Sequence, residues 1–343
     1  MIKVYTMRIH ALYYKGFRTM SIKKAELHVH LEGTIPPELA RTLAKRNNLV
    51  MPEGLIAPDN STYLSNGFMD FLRVYDTLAA LIKTPEDYYD ITFDYLRANA
   101  LDDTIYVEMM YSPDHAEMVS GIPSIEHLHA IQSAIEHAAA KFGIIGRVII
   151  TAVRHFGADA AIRVAKQAAK YTIPAATGFG LGGDEVNFPP KLFKRAYEIA
   201  VDAGLSGTVH AGEFAPASGM LEAIQHLPIK RIGHGVQAMH SPETIALLKE
   251  RNIALEICPS SNLTLGLFND MHCHPFPQFL EQGLAISINS DDPPFMGTSV
   301  AKEYERVQTA YGYSNEIMTN ITRMAIEHAF ITPAEKEELY AKL

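Results

Sequence analysis

The sequence predicts an α/β fold built as a single (β/α)8 TIM-type barrel. Eight short runs rich in β-branched and apolar residues recur along the chain, and each is followed by a loop and a helical pattern. Four of these runs end in histidine, glutamate or aspartate side chains. Because parallel barrel strands bring distant residues together at their carboxyl ends, we expect those side chains to share one face.

Each predicted element has a local signal. The strands are expected near residues 25–30, 104–112, 147–155, 175–181, 206–211, 230–234, 253–258 and 285–290. Two helices have clear start signals, because the runs Thr84-Pro85-Glu86-Asp87 and Ser241-Pro242-Glu243 place a hydroxyl cap before a proline and acids in the first turn. The alternation of strand and helix predicts a parallel sheet.

Composition and charge indicate one domain over residues 21–343. The chain has 343 residues, 48% hydrophobic and 20% charged, without an evident linker or repeat. Its formal charge of −9 argues against a nucleic-acid partner. The longest apolar stretch, Ile144 to Val153, contains Arg147 and is too short to span a membrane. Cys258 and Cys273 lie in unrelated contexts, which predicts a cytoplasmic protein rather than a disulfide scaffold.

Residues 1–20 form a separate N-terminal segment. The segment carries basic residues and no acidic one, but Lys and Arg interrupt its apolar positions and no cleavage pattern follows, so a targeting peptide is not predicted. Two interpretations remain open. The segment is either a genuine surface extension or the product of a mis-assigned start, with Met7 or Met20 as the real initiator.

The polar strand ends suggest a catalytic metal. The relevant runs are His28-Val29-His30, His210-Ala211-Gly212-Glu213, Gly233-His234-Gly235 and Ser290-Asp291-Asp292-Pro293. Three imidazoles and a carboxylate suit a zinc ion that keeps one position for water, which leaves further acids and a histidine for proton transfer and substrate contact. Each run alone has an ordinary explanation, such as neighbouring core histidines or a helix cap. Their joint occurrence at four strand ends favours a catalytic site.

Several motifs together resemble one known family. They are Ala25-Glu26-Leu27-His28-Val29-His30-Leu31-Glu32-Gly33, Gly182-Gly183-Asp184-Glu185, Val209-His210-Ala211-Gly212-Glu213, Arg231-Ile232-Gly233-His234-Gly235, Glu256-Ile257-Cys258-Pro259 and Asn289-Ser290-Asp291-Asp292-Pro293. They resemble the adenosine/adenine deaminase branch of the amidohydrolase superfamily. The resemblance covers residues 25 to about 305 and implies a zinc-dependent hydrolytic deaminase that acts on a 6-aminopurine.

The resemblance also implies roles for individual residues. The implied zinc ligands are His28, His30, His210 and Asp291. The implied catalytic residues are Glu213, which protonates purine N1, and His234 and Asp291, which orient the attacking water and accept or stabilise its proton. The implied substrate-binding residues are His30, Glu32, Phe68, Phe71, Asp292, which pairs with N7, and Gly183, whose N–H lies under N3.

The family comparison further predicts one Zn2+ per chain. Binuclear members of the superfamily bridge two metals with a modified lysine at the end of strand four, and this chain has no lysine in the corresponding run from Thr177 to Asp184. The other class of zinc deaminase requires a Cys-x-x-Cys motif. No such motif occurs in this sequence.

The exact substrate stays open among several alternatives. The segment after strand one has an apolar face at helical spacing, which is either core packing or the helical lid that family members insert after strand one. Glu32 resembles adenine-type members, whereas Tyr111-Ser112-Pro113 and Thr298-Ser299 resemble nucleoside-type members. We favour adenosine and 2′-deoxyadenosine, with adenine or a modified adenosine such as aminodeoxyfutalosine as alternatives. An inactive binding protein is a remote alternative, and no oligomeric state follows.

Two further histidine clusters are ambiguous. His272-Cys273-His274 has metal-like spacing but lies in a proline-rich loop beyond strand seven, so we interpret it as an ordinary surface loop or a support for the site. The pair Arg154-His155 follows strand three on the expected catalytic face, where a structural role and a supporting or substrate-binding role are equally open.

Overall fold

The computed structural model describes residues 22–343, which form one sheet of eight strands with helices between them. The strands run in the order β1 to β8 and all adjacent pairs are parallel. Their bounds are β1 Lys24–His30, β2 Thr104–Tyr111, β3 Ile145–Val153, β4 Ala176–Gly182, β5 Ser206–Ala211, β6 Ile229–His234, β7 Ala254–Ile257 and β8 Ile286–Ile288. The predicted strands are confirmed, with bounds that differ by a few residues.

The helices lie between successive strands and after the last one. Those between β1 and β4 are α1 Pro37–Arg46, α2 Phe68–Ala79, α3 Pro85–Leu101, α4 Pro113–Ser120, α5 Ser124–Phe142 and α6 Ala158–Lys170. The later helices are α7 Lys194–Asp202, α8 Ala217–His226, α9 Pro242–Glu250, α10 Pro259–Thr264, α11 Phe276–Glu281, α12 Val300–Tyr311, α13 Asn315–His328 and α14 Pro333–Tyr340. None of the described helices is long and apolar enough to cross a membrane.

The barrel is nearly closed, and Asp291 joins its two ends. The Asp291 N–H donates to the carbonyl of His28 at 3.2 Å, and the N–H of His30 donates to the carbonyl of Asp291 at 3.0 Å. Val29 and Asp291 form an isolated parallel bridge. The observed architecture is therefore the predicted (β/α)8 barrel. The predicted N-terminal segment, residues 1–20, lies outside the described residues.

The predicted helix starts are confirmed by their caps. The hydroxyl of Thr84 accepts the N–H of Asp87 at 3.2 Å, and the Asp87 carboxylate accepts the N–H of Thr84 at 2.9 Å, which makes a capping box at the start of α3. The hydroxyl of Ser241 accepts the N–H of Thr244 at 3.2 Å at the start of α9. These caps satisfy N–H groups that a helix start leaves without partners.

The barrel interior contains a fully buried ion network. The guanidinium of Arg231 donates to Glu108 at 2.5 Å and to Glu256 at 2.5 Å, and all three side chains are buried. The same guanidinium lies over the ring of Phe330, 3.4 Å from its centroid. Since isolated charges are expensive to bury, the two carboxylates depend on this one cation.

We expect Arg231→Met to lower the free energy of unfolding by about 3–5 kcal/mol, because it leaves two buried carboxylates without their cation. Lys230→Met, on the exposed side of the same strand, serves as the matched control and should change stability by less than about 0.5 kcal/mol. Urea unfolding of both variants measures the difference. Equal stability of Arg231→Met and the wild type would contradict this dependence.

Candidate active site

The polar residues noted in the sequence lie together at the carboxyl ends of the strands. They are His28 and His30 on β1, His210 and Glu213 on β5 and its following loop, His234 at the end of β6, and Asp291 and Asp292 after β8. All of them are buried except His30, which is half-buried. The convergence that strand order predicts is therefore present in the structure.

The candidate metal ligands surround one point. Oδ1 of Asp291 lies 3.4 Å from Nε2 of His28 and 3.4 Å from Nε2 of His30. Nε2 of His30 lies 3.2 Å from Nε2 of His210. Ligand atoms about 2.1 Å from a tetrahedral metal are themselves roughly 3.4 Å apart. The spacing of these donor atoms fits a single metal ion.

The ring orientations support the same conclusion. Nδ1 of His28 bonds to Glu256 at 2.7 Å, and within the described residues its buried Nε2 makes no hydrogen bond. Nδ1 of His210 lies 3.1 Å from the carbonyl of Leu181. When Nδ1–H is donated in this way, the lone pair on Nε2 remains available to a metal, as metal-binding histidines require. Three imidazoles and one carboxylate therefore fit a metal ion.

His234 also lies close to these donor atoms. The donor atoms of His28, His210, His234 and Asp291 all lie within 4.8 Å of one another, and those of His30, Asp291 and Asp292 form a second such group. However, Nε2 of His234 is 3.9 Å from Oδ2 of Asp291 and 3.6 Å from Oε2 of Glu213. These longer distances suit a side chain that contacts the two carboxylates better than they suit a metal ligand.

The backbone is strained at two positions of the cluster. His234 and Asp291 have φ angles of 58° and 61°, in the left-handed region that non-glycine residues rarely adopt. Such a conformation costs about 1–3 kcal/mol and persists only where the surroundings impose it. For Asp291, the two backbone hydrogen bonds to β1 hold the residue in this left-handed conformation. The strain thus accompanies the placement of both side chains in the site.

Glu213 is carried by a loop that Glu185 holds in place. One carboxylate oxygen of Glu185 accepts the N–H of Gly212 at 2.8 Å, and the other accepts two further N–H groups of the loop. Burial raises the pKa of Glu213 well above its usual value, and the charges of Asp291 and Glu185 raise it further. This shift favours the protonated form of Glu213, which has a proton to donate.

Asp292 is a second buried acid that faces the site. Burial, followed by the charge of Asp291, raises the pKa of Asp292 to about 8. Its Oδ1 has no hydrogen-bond partner among the described residues. A Cβ on Gly33 would lie 1.8 Å from that oxygen, so only glycine permits this close approach. Asp292 can therefore offer a hydrogen bond to a bound molecule.

Gly183 and its neighbours form another wall of the site. Gly183 has a φ of 93°, and a Cβ there would lie 3.1 Å from Nδ1 of His155, so a side chain would be strained and crowded. His155 lines the cavity. Arg154 is buried behind it and donates to the carbonyls of His210 and Phe188. The two residues whose roles the sequence left open are therefore placed differently. Arg154 supports β5 through the carbonyl of His210, and His155 faces the cavity.

A cavity of about 150 Å3 opens beside the metal-ligand cluster. It is lined by polar groups of the cluster on one side and by Phe71, Leu72 and Tyr75 of α2 on the other. Helix α2 lies between β1 and β2, as the predicted lid does. Phe71 also packs in the core, 5.5 Å from the ring of Phe295. The role of this face as a lid over a substrate stays a prediction. The side chain of Phe68 lies outside the described part of the structure.

Glu32 does not line this cavity among the described residues. Its carboxylate is buried and accepts the hydroxyl of Tyr88 at 3.0 Å. Burial raises its pKa above the usual value. The side chain is therefore engaged by the protein itself.

The sequence did not reveal Asn262 as part of the site. Its amide lies 3.2 Å from Nδ1 of His234 and 3.1 Å from Nε2 of His274. His274 belongs to the ambiguous His-Cys-His loop and is buried, whereas His272 and Cys273 are exposed. Only the fold brings these positions together, since no spacing pattern links them.

Residues 23–343 match the sequence model of the family described as Adenosine deaminase. The chain belongs to the adenosine deaminase family. This deaminase is 39% identical to the adenine deaminase of Sinorhizobium medicae (strain WSM419) and 37% identical to that of Agrobacterium fabrum (strain C58 / ATCC 33970). Both matches cover 95% of this chain and 99% of the relative. The deaminase is thus a hydrolase acting on C–N bonds.

Solved structures resemble the deaminase over nearly its whole length. Adenine deaminase from Arthrobacter aurescens superposes with a TM-score of 0.86 at 30% identity, covering 93% of this chain and 97% of the other. An amidohydrolase from Burkholderia ambifaria with bound Zn superposes with a TM-score of 0.85 at 26% identity, covering 94% and 89%. The recognised family resemblance and the barrel are confirmed.

We expect the purified deaminase to contain about one metal ion per chain. His210→Ala should lose most of it, because one of four ligands disappears. His155→Ala, which alters a cavity wall without touching the ligand set, should keep its metal. Elemental analysis by mass spectrometry measures both. Two tightly held metals per chain, or full occupancy in His210→Ala, would contradict the assigned ligand set.

Proposed function

We propose that this deaminase converts free adenine to hypoxanthine and ammonia by hydrolysis, with one zinc ion. The observation that carries the proposal is the similarity to proteins named adenine deaminase, at up to 39% identity over 95% of this chain and 99% of the relative. The same name belongs to a solved structure with a TM-score of 0.86 at 30% identity. These relatives favour adenine, the alternative from sequence, over adenosine.

The cavity size supports a free base. Its volume is about 150 Å3. An engineered cavity of that size in another protein binds benzene, a single ring. A purine base adds one fused ring to this, whereas a nucleoside adds a whole sugar. The free base therefore needs less of the space between α2 and the metal-ligand cluster than a nucleoside does.

The position of Glu32 supports the same choice. A nucleoside substrate would require this carboxylate to accept a hydrogen bond from the sugar. Glu32 instead accepts the hydroxyl of Tyr88 and does not line the cavity among the described residues. Free adenine has no sugar and makes no such demand.

The donor set supports zinc as the metal. We assign His28, His30, His210 and Asp291 as its ligands, because three imidazoles and a carboxylate are typical of catalytic zinc. The similar amidohydrolase from Burkholderia ambifaria contains zinc. When bound, zinc lowers the pKa of its water toward neutrality and thereby supplies a nucleophile.

The protein side chains can then handle the protons. Glu213, whose raised pKa favours its protonated form, donates to ring N1, which makes C6 electrophilic. Asp291 stays ionised: although burial raises its pKa, the neighbouring His28 and His30 imidazoles hold that pKa well below the usual value. Asp291 can therefore accept the proton of the attacking water, while His234 orients that water. A proton passed to the amine releases ammonia.

The remaining groups position the purine ring. Asp292 is protonated at neutral pH because burial and Asp291 raise its pKa to about 8, so it can donate to ring N7. We place the N–H of Gly183 under N3, because a side chain is excluded from that wall. His30 and Phe71 line the cavity, and we assign them contacts with the plane and the edge of the ring.

We expect the zinc-loaded protein to release ammonia from adenine with a kcat/KM at least ~10²-fold above that for adenosine, because sugar and lid compete for the same space. Ammonia release measured with adenine, adenosine, 2′-deoxyadenosine and aminodeoxyfutalosine tests this. A higher kcat/KM for any nucleoside would overturn the substrate assignment. Binding of adenine without any turnover would instead identify a binding protein.

We expect Glu213→Gln to retain zinc while kcat falls by at least ~10²-fold, because glutamine cannot protonate N1. Glu222→Gln, an acid on α8 that pairs with Lys191 outside the cavity, should keep wild-type kcat. Steady-state kinetics with metal analysis of each variant provide the readout. Near-normal turnover in Glu213→Gln would show that another group protonates the ring.

A further inference from the structure

A chain of buried hydrogen bonds leads from the loop after β7 to His234. The N–H of Phe276 donates to Nδ1 of His274 at 3.1 Å. Nε2 of His274 lies 3.1 Å from Oδ1 of Asn262, and Nδ2 of Asn262 lies 3.2 Å from Nδ1 of His234. The three side chains are at most 2% exposed. Solvent therefore does not substitute for any of these bonds.

The direction of the chain follows from its backbone end. A backbone N–H can only donate, so Nδ1 of His274 must accept from Phe276. Burial lowers the pKa of His274 to about 4, so the ring is neutral and carries one proton. That proton lies on Nε2. His274 therefore donates to Asn262.

The orientation of the Asn262 amide follows in turn. Its oxygen must face Nε2–H of His274, so its NH2 group faces Nδ1 of His234. The flipped amide would place two donors against each other at His274. Asn262 is also fixed by its backbone, because its N–H donates to Cys258 at 3.1 Å and its carbonyl accepts from Leu267 at 2.9 Å. Nδ1 of His234 is therefore an acceptor.

We propose that His274, acting through Asn262, is a positioning residue that holds His234 as the neutral tautomer protonated on Nε2. His234 then presents an N–H donor toward Glu213 and Asp291, to which its Nε2 is the nearest nitrogen at 3.6 Å and 3.9 Å. The mechanistic role rests on the proposed function, but the tautomer itself does not depend on which purine is the substrate.

The tautomer of His234 determines whether His234 or Asp291 accepts the proton of the attacking water. With Nε2 already protonated and Nδ1 occupied by the Asn262 amide, His234 has no free lone pair. It therefore holds the attacking water as a donor and does not take its proton. That proton goes to Asp291. The Asn262 amide on α10 thus prevents His234 from acting as a base.

Nitrogen NMR of the zinc-loaded protein tests the tautomer directly. In protein labelled with 15N-histidine, long-range proton–nitrogen correlations distinguish protonated from unprotonated ring nitrogens, and the His234 signals are those missing from His234→Asn. We expect Nε2 protonated and Nδ1 unprotonated. In Asn262→Asp the carboxylate accepts from both rings, so the proton of His234 should move to Nδ1. A wild-type His234 protonated on Nδ1, or on both nitrogens, would overturn the proposal.

Kinetics test the functional consequence. His274→Phe removes the donor to Asn262 and should lower kcat by about 10- to 100-fold with KM little changed and zinc retained. His274→Gln, which can still donate an N–H, should restore most of the loss. The matched control is His272→Phe on the exposed part of the same loop, which should keep wild-type kcat. Unchanged kcat in His274→Phe would overturn the positioning role. Rates are measured on whichever purine the wild type deaminates. A wrong substrate assignment is therefore distinguished from a wrong positioning role for His274.

Discussion

The backbone of Asp291 joins the last strand region to the first, and the site depends on this junction. Its N–H bonds to His28 and its carbonyl accepts from His30, so the carboxylate is fixed relative to two imidazoles that lie more than 250 residues earlier. The positive φ of Asp291 turns its side chain into the same region. Closing the barrel therefore also assembles the proposed ligand set, and loss of the junction would separate its donor atoms.

The orientation of His28 in the site depends on charged residues inside the barrel. Glu256 accepts Nδ1–H of His28, and the same carboxylate is held by Arg231 and by the hydroxyl of Thr208 at 2.8 Å. The charge of Arg231 helps to keep the pKa of Glu256 at about 2 against the opposing effect of burial. The ionised carboxylate then fixes the tautomer of His28, so a charge deep in the barrel determines which nitrogen faces the proposed metal site.

Sequence patterns sufficed for the barrel and for the convergence of its polar strand ends, because strand order and strand ends follow from local periodicity. His28, His210 and Asp291 stand at the ends of β-rich runs, and parallel strands bring such ends together. The Asn262 amide and the buried His274 could not be found in this way, since their contact depends on the path of irregular loops. The substrate could not be predicted from local sequence patterns either. Glu32 has a hydrogen-bond partner, Tyr88, that only the tertiary structure brings to it.

Anomalous X-ray diffraction from crystals of the zinc-loaded protein with hypoxanthine tests the central claim most directly. One strong peak should lie within bonding distance of His28, His30, His210 and Asp291, with the purine between Glu213 and the lid helix α2. A peak bonded to His234 in place of His30, or two peaks, would contradict the ligand set. A purine bound outside the cavity would contradict the site itself.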